Sequence, residues 1–273
     1  MQTLTTLGLA LAAWAGSTTA AHLLHAPGTP AAVAAQDPDW TWKGTVAAGK
    51  TIEIKGVNGD VRATATSGSE VVVTAVKQAR KSDPADVTIE VVNGAAGVTI
   101  CAVYPSDGKQ RNSCAAGDGG HMSTHNNDVS VHFTVQVPAG VKFAGNTVNG
   151  SVTTERLGGD VDVATVNGSV RVVAAGVVHA STVNGSVDVS MGRADWSGKV
   201  ELSTVNGNIR ATLPATFSAV VNGSTVNGSI ESEFPLTVQG KFGPRSVHGT
   251  IGTGGRTLDL ETVNGSITIA KGN

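Results

Sequence analysis

The C-terminal half of this 273-residue chain repeats one four-residue motif, Thr-Val-Asn-Gly. Its copies begin at Thr147, Thr165, Thr182, Thr204, Thr225, Ser246 and Thr262, and the sixth reads Ser-Val-His-Gly. Successive copies start 16 to 22 residues apart. A period of roughly 20 residues is typical of repeat proteins in which one short unit stacks on the next. The sequence therefore predicts a surface built from columns of equivalent residues.

The composition favours an all-β fold. Glycine is abundant, with 35 residues, whereas charged residues make up 15% and aromatic residues 4% of the chain. β-Branched side chains suit a pleated surface, and Gly and Asn tolerate the positive φ of tight turns. The net charge of −2 gives no electrostatic footprint for nucleic acid and no polybasic membrane patch. We therefore expect no nucleic-acid partner, and no cofactor motif is found.

Each repeat flanks its Asn-Gly corner with two β-branched residues that we expect to point inward. The residue after the leading position is always valine: Val148, Val166, Val183, Val205, Val226, Val247 and Val263. Four residues later the chain has Val152, Val170, Val187, Ile209, Ile230, Ile251 and Ile267. Burial of each such side chain contributes about 1.5–3 kcal/mol, so these columns predict a continuous core.

An antiparallel meander is the alternative fold, because Asn-Gly also favours hairpin turns. The outward position six residues after the leading threonine discriminates between the two, since it reads Arg171, Asp188, Arg210 and Glu231 in successive repeats. If coils stack in parallel at about 4.8 Å, these side chains form a ladder of alternating charge. A meander gives no reason for that order. We therefore predict a parallel β-solenoid.

Two further columns follow from the stacking. The corner asparagines are expected to form an amide ladder: Asn149, Asn167, Asn184, Asn206, Asn227 and Asn264. The leading threonines are expected to face outward as a possible ligand face, unless their hydroxyls only pair with neighbours: Thr147, Thr165, Thr182, Thr204, Thr225 and Thr262.

The region before the array reads as less regular β structure. Strand-like alternation occurs at 51–54, 71–76, 87–92, 98–100 and 129–137. Residues 57–61 are an outlying copy of the corner. We place a boundary near Pro138, which gives an N-terminal β region at 36–138 and the solenoid repeats at 139–273.

The two cysteines, Cys101 and Cys114, are predicted to form a disulfide that ties a polar loop at 101–128. A chain-entropy estimate gives such a bond roughly 3 kcal/mol. A pair of buried free thiols is the alternative. His121, His125, Asp118 and Asp128 lie nearby but lack the spacing of metal ligands, so we predict no metal site.

The first 35 residues contain no Lys, Arg, Asp or Glu and include an apolar run of about ten residues at 7–16. A run of that length is too short to span a bilayer. An Ala-rich stretch with an A-x-A pattern ends at Ala35. Residues 1–35 are therefore predicted to be a secretory signal peptide, which implies export to the periplasm, the cell surface or the medium. A disordered or membrane-anchoring N-terminus is the alternative.

The corners, the Leu-Pro-Ala segment at Leu213 and the segment from Gly254 to Ile267 resemble the putative-adhesin β-solenoid family of bacterial envelope proteins, a domain of unknown function. The resemblance covers 129–273 well and 40–103 loosely. It implies a right-handed β-helix in the cell envelope, without established catalytic residues.

A non-catalytic binding or structural module of the envelope is the predicted function, with a glycan or a protein as partner. A polysaccharide lyase or hydrolase is the alternative, because β-helices host such enzymes, and Asp160 and Asp162 share a strand face. Glycoside cleavage requires paired carboxylates, and the acids of the repeats are mostly scattered or aligned with arginines. Ice binding through the threonine column is a third interpretation.

Overall fold

The computed structural model describes residues 39–106, 108, 110–193, 196, 198–238 and 245–272. The predicted signal peptide lies outside the described residues. Within the described residues the chain forms 21 strands and one 3-10 turn, Pro84–Asp86, whose N-cap is Asp83. The strands lie in two large sheets with mostly parallel pairing. This confirms the all-β class and the parallel stacking of the repeats.

Sheet I has ten strands among the described residues. In spatial order they are β1 (Trp40–Gly44), β4 (Val71–Gln78), β7 (Ser130–Pro138), β3 (Val61–Thr66), β9 (Val152–Leu157), β11 (Val170–Ala174), β13 (Val187–Met191), β15 (Ile209–Pro214), β21 (Ile267–Gly272) and β17 (Ile230–Ser232).

Sheet II has eleven strands within the same part of the chain. In spatial order they are β18 (Thr237–Val238), β19 (Ser246–Ile251), β16 (Ala219–Asn227), β20 (Arg256–Asn264), β14 (Lys199–Asn206), β12 (Val178–Asn184), β10 (Val161–Ala164), β8 (Lys142–Asn146), β2 (Thr51–Lys55), β6 (Gly97–Val103) and β5 (Thr88–Gly94).

Each of the parallel coils contributes one strand to each sheet, whereas the sixth motif copy, at Ser246, lies inside β19 and forms no corner. The chain runs along sheet II, turns at the Thr-Val-Asn-Gly corner and continues along sheet I, as β8 and β9 do on either side of the corner at Thr147. The outlying corner at 57–60 joins β2 to β3 in the same way, and these strands pair in parallel with β8 and β9. The sheets therefore run through both the N-terminal region and the repeats.

The inner faces of the sheets form one apolar core. Alternate residues of each strand point inward, as period-two side-chain geometry requires, and the core includes Phe143, Val152 and Leu202, each at most 1% exposed. Trp40 and Trp42 lie on the edge strand β1 and pack partly buried against this core.

The corner corrects one predicted column of the core. The valines that follow the leading threonine face outward, except for Val247, which is buried: Val148, Val166, Val183, Val205, Val226 and Val263 are 37–55% exposed. The side chains of the second predicted column, four residues after these valines, point inward as predicted wherever they lie on a long strand, as at Val170 and Ile209. The reason is that side chains alternate between the two faces of a strand. Val161, Val163 and Thr165 point inward before the corner begins, so the valine that follows Thr165 points outward.

The stacking order of the coils departs from the sequence order at the C-terminal end. The last coil, β20 and β21, lies between the coil of β14 and β15 and the coil of β16 and β17. Strand β19 then pairs antiparallel with β16. The C-terminal strand is therefore an interior strand, and β17 and β18 lie at the sheet edges at that end.

Candidate binding surfaces

The leading threonines are buried, so the prediction that they form an outward ligand face is wrong. Thr147, Thr165, Thr182, Thr204, Thr225 and Thr262 are 1–5% exposed. Each hydroxyl donates to the corner glycine carbonyl of the neighbouring coil, for example from Thr182 Oγ1 to Gly168 O at 2.8 Å and from Thr204 Oγ1 to Gly185 O at 2.9 Å. These hydroxyls join coils together and are not available to a ligand.

The corner asparagines form one continuous ladder of side-chain amides. In the stacking order Asn58, Asn149, Asn167, Asn184, Asn206, Asn264 and Asn227, Nδ2 of each residue after the first donates to Oδ1 of the residue before it, at 2.8–2.9 Å. Each amide within the ladder keeps one N–H and one acceptor position free of it. The exposed valines and this ladder together are called the corner ridge below.

The alternating charges lie on the outer face of sheet I. Arg171 pairs in register with Asp188, and their side chains approach to 3.7 Å between Nη2 and Oδ2. Asp188 is in register with Arg210, but Arg210 is followed by Thr268. Placing Glu231 beside Arg210 is therefore wrong: the inserted strand β21 separates them, and Glu231 pairs with Thr268.

A second polar feature crosses the outer face of sheet II and was not predicted. Parallel and antiparallel register aligns one residue from each of seven strands, with Ala144 of β8 between the first two. We call this set the polar row: Glu53, Asp162, His179, Glu201, Asp259, Asn222 and His248. The signal was present in the sequence, since five of these residues stand three positions before a leading threonine.

A shallow groove of about 580 Å³ runs along part of the polar row, where Ala144 leaves space between larger side chains. Lys142 and Asp160 line one side, joined by a 2.9 Å contact between Nζ and Oδ2. His179 and Glu201 line the other side, and His179 Nε2 lies 3.2 Å from the carbonyl oxygen of Lys199.

The two aspartates of the groove have opposite electrostatic environments. Burial alone would raise the pKa of Asp160, but hydrogen bonds from Lys142 and from the Val177 N–H outweigh it and hold that pKa below its usual value. Partial desolvation raises the pKa of Asp162; His179 opposes this, and the carboxylates of Glu53, Asp118 and Glu201 add to it. Asp160 is thus the more stable anion of the two.

A lysine offsets part of the negative charge in the far part of the row. Lys199 Nζ contacts the carboxylates of both Glu201 and Asp259, the latter at 2.7 Å. These hydrogen bonds raise the pKa of Lys199 above its usual value. Asn222 extends the network by donating from Nδ2 to Asp259 Oδ1 at 2.7 Å, so the side chains of this part of the row are held in place by one another.

The loop from Tyr104 to Asp128 covers the near end of the polar row. Cys101 and Cys114 are joined by the predicted disulfide. Lys55 Nζ donates to the carbonyls of Ala115, Gly117 and Gly119. Glu53 is buried beneath the loop, where it accepts from Thr99 Oγ1 at 2.7 Å and from the Gly117 N–H at 3.1 Å. The loop therefore forms a wall at one end of the exposed row.

Other ionisable groups near the loop have structural partners. Asp128 accepts hydrogen bonds from the backbone N–H groups of Ser82, Arg80 and Lys81, which lower its pKa. Burial raises the pKa of Tyr104 to about 12. Over the described part of the chain, no group of three or more His, Cys, Asp or Glu residues is arranged to hold a metal ion. Nor does any described helix have the length and apolarity needed to cross a membrane.

The chain is similar to solved structures and to one family model. A crystal structure of a putative cell adhesion protein from Clostridium sporogenes shares 12% identity, with a TM-score of 0.48, over 86% of this chain and 100% of that one. A putative adhesin from Bacteroides fragilis shares 13% identity, with a TM-score of 0.35, over 84% and 96%. No curated protein matches the sequence. The family model described as Toastrack DUF4097 matches residues 3–270, and the chain belongs to that family.

Proposed function

We propose that this protein is an exported, non-catalytic binding module of the bacterial cell envelope, and that an extended glycan or protein segment lies across its polar row. The observation that carries this proposal is the register of the row. Hydrogen-bonding side chains stand on neighbouring strands at the strand spacing of about 4.8 Å, beside a groove that is open along its length. A partner with regularly spaced polar groups fits such a surface better than a compact ligand does.

The chemistry of the row suits hydroxyl and amide groups. Asp162 and Glu201 supply acceptors, His179 supplies a donor or an acceptor, and Asn222 supplies both. The contacts that Lys199 and Asn222 make with Asp259 hold their side chains before any partner arrives. Such pre-organisation reduces the entropy lost on binding.

Export is part of the same proposal. The apolar segment at 1–35, free of Lys, Arg, Asp and Glu, supports it, and so does the Cys101–Cys114 disulfide, because disulfides persist mainly in oxidising compartments. We further propose that the coils wind with a right hand, as nearly all crossovers between parallel strands of one sheet do.

Binding of purified residues 36–273 to immobilised envelope glycans and envelope proteins tests the proposal. The double variant His179→Ala/Glu201→Gln should weaken binding at least tenfold, which corresponds to about 1.4 kcal/mol. The matched control is Arg62→Gln on the outer face of sheet I, which should bind as the unaltered protein does. Equal binding by all three proteins would remove the polar row as the site, and failure to bind any envelope component would remove the proposal.

Polysaccharide cleavage is the second candidate, and the opposed pKa shifts of Asp160 and Asp162 favour it. Two neighbouring carboxyls whose environments shift their pKa values in opposite directions are the arrangement that acid–base chemistry uses. Incubation of the protein with acidic and neutral polysaccharides, followed by assay of reducing ends and of unsaturated products, tests this function. Cleavage that Asp162→Asn abolishes would replace the binding proposal with an enzyme.

A further inference from the structure

Three of the four residues in the corner motif have a structural explanation. The threonine hydroxyl bonds to the neighbouring coil. The asparagine amide joins the ladder. The glycine is required because a Cβ at Gly168 would lie 2.0 Å from the carbonyl oxygen of Gly150. The valine has no comparable role, since its side chain leaves the core and is exposed.

The exposed valine is nevertheless the same in every coil of the array. Outward columns on either side of the corner vary. One of them, on sheet II, reads Asn146, Ala164, Ser181, Ser203, Glu261 and Ser224 in stacking order. The other, on sheet I, reads Thr153, Arg171, Asp188, Arg210, Thr268 and Glu231. A repeated apolar residue between two variable columns points to a function of the exposed surface.

At its N-terminal end the ridge meets an apolar side chain of the protein itself. Val57, which is equivalent to the exposed valines, is only 6% exposed and belongs to the apolar core. Val148, the next valine of the column, lines one depression together with Met122 of the disulfide-tied loop. The ridge therefore has an apolar neighbour at this end, and the valines from Val166 to Val226 offer more of the same surface beyond it.

We propose that the corner ridge is a self-association surface and that its partner is a second copy of this chain. Two copies share one strand spacing, so the valines of each ridge can lie opposite those of the other along the whole length and exclude water, as side chains do in steric zippers. A single two-fold axis gives such a self-complementary contact. The ridge itself carries no charged residue, which lowers the cost of burying it.

The flanking charges fit an antiparallel arrangement of the two copies. A two-fold axis perpendicular to the ridge brings the outer edges of both copies of sheet I together in opposite order. With the axis between the rungs of Asp188 and Arg210, Asp188 of each copy lies on the rung opposite Arg210 of the other. Opposite charges also meet when the axis lies between the rungs of Arg171 and Asp188, whereas an axis on the rung of Asp188 would oppose two like charges.

The contact is small, and this sets the expected strength. Six valines at about 4.8 Å per coil extend over about 24 Å, which gives less buried area than a permanent dimer has. Association is therefore weak and reversible in solution. It becomes effective where many copies are displayed on one surface, because linked weak contacts gain strength from effective concentration. The inference is independent of the polar row.

Sedimentation velocity of residues 36–273 over increasing concentration tests this inference. We expect a concentration-dependent monomer–dimer equilibrium that Val183→Thr/Val205→Thr weakens at least tenfold. The matched control, Val173→Thr/Val177→Thr, makes the same chemical change away from the ridge and should leave the dissociation constant unchanged. A fold check by circular dichroism on each variant separates lost association from lost structure.

The charge arrangement has its own test. Asp188→Arg should weaken the dimer, and Asp188→Arg/Arg210→Asp should restore it, because the opposed pair is re-formed with exchanged signs. A monomeric protein at every concentration, or equal dimerisation of the ridge variant and its control, would overturn the inference. A monomer whose ridge variants lose binding to an envelope glycan would assign the ridge to that partner and overturn it as well.

Discussion

Thr165 donates a hydrogen bond from Oγ1 to the carbonyl oxygen of Gly150 at 2.8 Å, across the boundary between two neighbouring coils. The same bond recurs from Thr182 to Gly168, again at 2.8 Å. Because each of these threonines is buried, the motif that looks like a surface repeat in the sequence is a repeated joint between coils. The corner therefore contributes to stability through its threonine, asparagine and glycine and presents only its valine and the outer edge of the amide ladder.

Removal of one such hydroxyl should destabilise the protein. Thr182→Val keeps the shape of the side chain but leaves the Gly168 carbonyl without this donor. We expect the free energy of unfolding to fall by about 1–2 kcal/mol, measured by urea denaturation. Thr182→Ser, which retains the hydroxyl, should lose less. A valine variant as stable as the unaltered protein would show that the hydroxyl contributes nothing.

A methyl group on a corner glycine should be far more damaging. In Gly168→Ala the new Cβ would lie 2.0 Å from the Gly150 carbonyl oxygen, a backbone atom that moves only if two coils separate. We expect a loss above about 3 kcal/mol or failure to fold, seen in the denaturation midpoint. Gly158→Ala is the matched control, since no atom lies within 4 Å of its added Cβ, and it should change the midpoint little.

The inward direction of the threonines could have been predicted from the sequence. Val161, Val163 and Thr165 follow one alternation, so the threonine continues the buried face of its strand. A phase that starts afresh at the corner places Val166 in the core, which is wrong. The polar row could also have been predicted from the sequence, because Asp162, His179 and Glu201 stand at the same distance before the leading threonine of their repeats.

The stacking order of the last coils, in contrast, could not have been predicted from the sequence. All corners share nearly one sequence, so any coil can stack on any other without loss of corner hydrogen bonds. The choice of β21 over β17 as the neighbour of β15 depends on long-range packing. The burial of Glu53 beneath the disulfide-tied loop could not have been predicted either. It depends on contacts between residues far apart in the sequence, since Lys55 and Gly117, which hold the loop there, are 62 residues apart.

The corrected order of the charge ladder makes a prediction that distinguishes Asp188 from Glu231. Asp188 lies between Arg171 and Arg210, whereas Glu231 lies beside Thr268. Asp188→Arg should destabilise by no more than about 1 kcal/mol, because both members of its pair with Arg171 are substantially exposed, and added salt should reduce the effect. Glu231→Arg should cost less. Equal losses in thermal denaturation would contradict the observed stacking order.

The two aspartates of the groove should respond to pH with opposite signs. The pKa of Asp160 is lowered on folding, so its contribution is present above the unfolded value near 3.8 and is lost as the pH falls through the folded value. Asp160→Asn should therefore destabilise the protein at pH 7, by under about 1 kcal/mol for this exposed pair with Lys142. At a pH below the folded value the variant and the unaltered protein should converge.

The pKa of Asp162 is raised on folding, so the folded protein favours its protonated form. Stability associated with that proton is complete below the unfolded value near 3.8 and is lost as the pH rises through the folded value. Asp162→Asn removes the charge that is unfavourable at pH 7, and we expect the variant to be as stable as the unaltered protein there or slightly more so. Urea denaturation of both variants between pH 3 and pH 7 measures the two slopes. A destabilised Asp162→Asn variant at pH 7 would mean that the carboxylate has a favourable partner in the folded protein, and the groove would then hold two stable anions.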